Sequence, residues 1–172
     1  MRRVDIAFVL AALLGGAACG GGGSTGPGSD QSGPNPGNAS SATMAAQVGA
    51  SSWHAAVVIA TRSADGTIGV SGSDNSTFIV GFKVKGTATG SFPIPDCSWP
   101  GGSDRGTNGG SVGDFAGTRN WGTDCSHTGA VTITSISSDG VSGTFNFELA
   151  PSSGTAATTA LSVSAGTFTA KF

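Results

Sequence analysis

The sequence predicts an all-β domain: an antiparallel meander of about 8–10 strands closing as a β-sandwich or a flattened β-barrel, within residues 42–172. Three observations carry this. Strong helix formers are scarce there, with Leu149 and Leu161 the only leucines and Glu148 the only glutamate. Thr, Val, Ile, Phe and Gly dominate instead, a composition that favours strands and tight turns. Apolar and small polar residues also alternate, with turn signals at short intervals.

In chain order, residues 44–48 and 52–61 read as the first strands, joined near Gly49-Ala50-Ser51. Asp65-Gly66 marks a hairpin turn, since both residues tolerate the positive φ of tight hairpins, and 67–72 follows as a strand. Asp74-Asn75 marks the next turn. Phe78, Val80, Phe82 and Val84 then alternate with Lys83 and Lys85, giving one buried and one wet face. Residues 88–94 read as a short strand ending at Pro93 and Pro95, and 96–127 as a long irregular stretch. Val131 and Ile133 resume the pattern, and Asp139-Gly140 turns it. Val141 to Leu149 is the cleanest alternation in the chain. Leu161 and Val163 lead to a turn near Gly166, after which Phe168, Ala170 and Phe172 sit on the opposite parity, as a new strand would. The expected core is Trp53, Val57, Ile59, Ile68, Val70, Phe78, Val80, Phe82, Val131, Ile133, Phe145, Phe147, Leu161, Val163 and Phe168.

The N-terminus reads as an address. Arg2 and Arg3 precede an apolar run, Ile6 to Leu14, too short to span a bilayer, and then Gly15, Gly16, Ala17 and Ala18. That is the layout of a secretory signal peptide over residues 1–18. Cys19 follows directly, so Gly16-Ala17-Ala18-Cys19 resembles a bacterial lipoprotein signal, which implies a diacylated Cys19 as the first mature residue. The motif departs from the usual one in lacking Leu three residues before the cysteine; ordinary cleavage after Ala18 is the alternative. Residues 20–41 hold eight Gly, five Ser and three Pro, too little apolar surface to offset the entropy of ordering. The lipidated cysteine and a flexible tether therefore occupy 19–41. The tether has a mean span of about 25 Å and roughly 75 Å at full stretch. Together these features point to the bacterial cell envelope, with a lipid on Cys19 holding the chain to the outer membrane.

Three cysteines are an odd number for an exported chain. Lipidation of Cys19 leaves Cys97 and Cys125 as a pair, and export permits a disulfide between them. If the strand ending near Pro95 lies beside the one beginning near Gly129, the bridge joins one strand's exit to the other's entry.

Candidate chemistry is thin. Without residues 1–18 the formal charge is −3, and the remaining Lys and Arg are scattered, which argues against a nucleic-acid partner. Gly109-Gly110-Ser111-Val112-Gly113 matches the G-x-S-x-G pattern but lacks the strand before and helix after that a nucleophile turn requires. His54 and His127 are the only histidines, and no ligand spacing surrounds them. Asp104, Asn108 and Asp114 lack the tight spacing of a calcium loop. No catalytic residue, metal or cofactor is assigned, and the chain is not expected to be an enzyme. Trp99 and Trp121, in the Gly-rich stretch, are the candidate ligand contacts, able to stack on a carbohydrate or a protein ligand; the alternative is that they cap one end of the core.

The runs Trp53-His54-Ala55, Gly129-Ala130-Val131-Thr132-Ile133-Thr134, Gly143-Thr144-Phe145-Asn146-Phe147 and Gly166-Thr167-Phe168 resemble a family of small bacterial lipoproteins with an all-β domain of unknown function, over about residues 43–172. This chain departs from it in having no Tyr and in carrying Cys97 and Cys125 around a Gly-rich insertion. The resemblance implies export, lipidation and an all-β fold, and no particular activity. The expected role is a binding or accessory module of the envelope, with a structural surface lipoprotein lacking a small-molecule ligand as the alternative.

Overall fold

The computed structural model describes residues 42–97 and 108–172. The expected signal peptide over 1–18, Cys19, the expected tether over 19–41, Trp99 and Asp104 all lie outside the described residues. Among those described there is no helix. Eleven strands form one curled antiparallel sheet, a half-barrel: β1 (Thr43–Val48), β2 (Ser51–His54), β3 (Val57–Arg62), β4 (Thr67–Ser73), β5 (Phe78–Lys85), β6 (Gly90–Ile94), β7 (Gly109–Asp114), β8 (Asn120–Gly122), β9 (Gly129–Ile136), β10 (Gly140–Pro151) and β11 (Leu161–Lys171).

The order along the sheet is β2-β1-β11-β10-β8-β7-β5-β4-β3, with β9 beside β10 and β6 beside β9. Long β10 is the hinge of the curl. Its first part pairs with β9 and its last residues, Ala150 and Pro151, pair with Gly122 and Trp121 of β8. One half of the sheet is thus β2-β1-β11-β10-β9-β6 and the other β3-β4-β5-β7-β8, and their concave sides face each other. Phe82 from the second half meets Phe145 and Phe168 from the first at ring-centroid distances of 5.5 and 5.0 Å. Around these rings lie Ile68, Val80, Val84, Val112, Val131, Ile133, Phe147, Leu149 and Val163, each at most 2% exposed. Burying one such side chain stabilises the fold by about 1.5–3 kcal/mol.

The expected turns form. Gly49, Gly66 and Asn75 take positive φ at the first three reversals. Asp74 fastens its turn through one oxygen, Oδ1, which accepts the backbone N–H groups of Ser76 at 2.9 Å, Thr77 at 2.7 Å and Phe78 at 3.1 Å.

Three expectations change. First, residues 52–61 are two strands. Ala55 N–H donates to Met44 in one half of the sheet, while Ala56 N–H donates to Ser73 in the other. The chain turns a corner there, and the corner reverses the inside–outside parity. Trp53 points inward at 3% exposure, but beyond the corner Val58 and Ala60 face the core. Val57 and Ile59 therefore stand outside, 48% and 61% exposed, instead of in the core. Phe78 and Leu161 are half-buried at its rim.

Second, 96–127 is not irregular throughout. β7 pairs with β5 along its whole length, and β8 joins β7 to β10, so this stretch supplies the centre of the second half. Its Gly-rich sequence hid the alternation Gly110, Val112, Asp114 on the inner side.

Third, 161–171 is a single strand. The parity change near Gly166 is a β-bulge. Between the pairs Phe145↔Gly166 and Phe147↔Val163, β10 advances two residues and β11 three. The same extra residue appears against β1, between Ala45↔Thr167 and Gln47↔Ser164. Ala165 at the bulge has φ +50°. The bulge turns the strand's apolar residues from odd to even positions without ending it.

Candidate functional site

The disulfide lies where the two strand ends meet. Pro93↔Ala130 and Ile94↔Gly129 place β6 beside β9, and Cys97–Cys125 bridges just beyond them with Cα atoms 5.8 Å apart. Beside it, Asp124 Oδ1 accepts the backbone N–H groups of Ser126 and His127, both at 2.8 Å, and lies 2.9 Å from His127 Nδ1. The His127 side chain above all holds the Asp124 carboxyl below the usual range, with the backbone N–H groups of Ser126 and His127 adding to it against burial. The pair closes the turn into β9, and both residues remain partly open to solvent.

Of the two readings of Trp121, the structure shows packing against the core. Trp121 is 7% exposed on the inner side of β8, next to Val112, and its indole N–H donates to the Thr159 carbonyl at 2.9 Å. The ring's apolar area and its one donor are both used internally. Arg119 covers one ring face, with its guanidinium carbon 5.6 Å from the centroid. Trp121 therefore caps the core, because a buried indole with a satisfied N–H gains more than an exposed one.

The residues considered for metal do not gather. Asn108 and Asp114 stand at opposite ends of β7, six residues and so about 20 Å apart along a strand. Asn108 is 5% exposed and stitches two strands: Oδ1 accepts Lys85 N–H at 2.8 Å, and Nδ2 donates to Pro93 at 3.0 Å. Asp114 caps the β7–β8 hairpin, accepting from Thr118 N and Oγ1 and from Arg119 N and Nε at 2.7–3.0 Å. The Arg119 backbone N–H above all, with the Arg119 and Thr118 side chains, holds its carboxyl far below the usual range despite burial. Among the described residues no three His, Cys, Asp or Glu side chains form a group fit for a metal ion. Every buried side-chain N or O among the described residues has a hydrogen-bond partner, so no buried polar side chain there waits for a ligand.

Ser111 lies mid-strand on the outer side of β7, between Gly81 and Gly122. The Gly109–Gly113 run is a strand, not the strained strand-to-helix turn that presents a nucleophile.

The outer faces of the two halves differ. That of β1, β11, β10 and β9 is a field of hydroxyls, with Thr132, Thr144 and Thr167 in direct register across three strands. Two shallow depressions mark it, one beside Thr144, Asn146, Ala165 and Thr167, the other between Ser135, Asp139 and Lys171. On the other half the outward rows are Ile59-Ser71-Gly81-Ser111-Gly122 and Val57-Ser73-Ile79-Gly113-Asn120. Side chains on this face are aliphatic at Val57 and Ile59 of β3, long and charged at Lys83 and Lys85 of β5, and small on β7, where Asn120 of β8 lies over Gly113. The sequence signal for this face was the Ala55-Ala56 pair, two residues with no strand-specific side chain where the parity breaks.

A family described as Domain of unknown function (DUF6252) matches residues 40–170. No curated protein and no solved structure matches the chain.

Proposed function

We propose that this chain, which belongs to the DUF6252 domain family, is an exported lipoprotein of the bacterial cell envelope that works as a binding or accessory module. The observation that carries the reading is cysteine pairing. Cys97 and Cys125 are joined, which leaves Cys19 as the one cysteine outside the disulfide. Cys19 stands directly after a basic, apolar and small-residue leader and directly before a Gly/Ser/Pro tether. A disulfide also suits an oxidising compartment. The lipid on Cys19 holds the chain to the outer membrane, and the tether lets the β domain reach partners away from the headgroups.

The reading is of binding without catalysis. Ser111 lies on a regular strand and His127 is committed to closing a turn. The broad, shallow outer faces suit a protein or polymer partner better than an enclosed small molecule. The test is expression of the full chain with metabolic lipid labelling and fractionation. The wild type should label and sediment with outer membranes, and Cys19→Ser should do neither. A wild-type chain that stays unlabelled and soluble refutes lipid attachment.

A further inference from the structure

We draw no further inference here: the strongest candidate, the edge strand β3 with Val57 and Ile59 48% and 61% exposed on its outer side, carries nothing because nothing in the structure shows what covers it.

Discussion

Removing the Cys97–Cys125 bridge separates two roles that it could play. The bridge closes a loop with a sequence separation of 28. Chain-entropy arithmetic for that loop gives about 3.6 kcal/mol of stabilisation, acting through the unfolded state. A domain of about 130 residues has an unfolding entropy near 0.28 kcal/mol/K, so the loss should lower Tm by about 13 °C. The folded state should change far less, because β7 and β8, inside the loop, are held by pairing to β5 and β10. Asn108 also ties the start of β7 to Pro93 and Lys85 independently of the sulfurs. The expected result for Cys97→Ala with Cys125→Ala is therefore a large fall in Tm with a native near-UV spectrum from Trp121. Calorimetry of the oxidised wild type, the reduced wild type and the double variant measures the first quantity, and circular dichroism the second. Peptide mapping without reductant checks the bridge itself. A Tm within about 3 °C of the bridged protein would refute the unfolded-state account. A molten spectrum at low temperature would instead show that the bridge holds β7 and β8 in place.

Two further outcomes follow from the same structure. Trp121→Ala should cost about 3–5 kcal/mol, as large core truncations do. Trp121→Phe should cost less, since it mainly removes the bond to Thr159. Chemical denaturation measures both, and a change within about 0.5 kcal/mol for the alanine would mean the ring is not part of the core. Asp74 has its carboxyl pKa lowered to about 2: burial opposes ionisation, but hydrogen bonds from the Thr77 hydroxyl and from the Thr77, Ser76 and Phe78 backbone outweigh it. Folding favours the ionised form, so this contribution is complete above the unfolded value near 4 and is lost as pH falls through about 2. The denaturation midpoint of the wild type should fall across that window, and Asp74→Asn should flatten the fall; equal slopes would remove Asp74 from the acid response.

Local signals carried much of the architecture. The turns at Gly49, Asp65-Gly66, Asp74-Asn75 and Asp139-Gly140 depend on backbone preferences of the residues themselves, and they form where those residues stand. The alternation from Val141 to Leu149 becomes the longest strand because period-2 patterning needs no distant information. The disulfide was legible because cysteine parity and flanking strands constrain it, and the β6–β9 pairing brings those flanks together.

The outward sidedness of Val57 and Ile59 was not legible from alternation alone, for a physical reason. Inside and outside are defined by what a strand packs against, and alternation within one strand cannot say when that reference changes. At Ala55–Ala56 the chain passes from one half of the sheet to the other, so Val57 and Ile59, apolar and correctly spaced for a core, finish outside. At Ala165 a bulge reverses the parity without a turn, a distinction that only the partner registers of β1 and β10 decide. In β7, glycines erase the alternation, and its pairing with β5 and β8 makes it a strand. The class of fold and the turns are set by neighbours along the chain, and the covalent staple by cysteine parity, so all three could be read from the residues alone. The sidedness of β3, the continuity of β11 and the burial of Trp121 were decided by tertiary structure, because each depends on which distant backbone lies alongside.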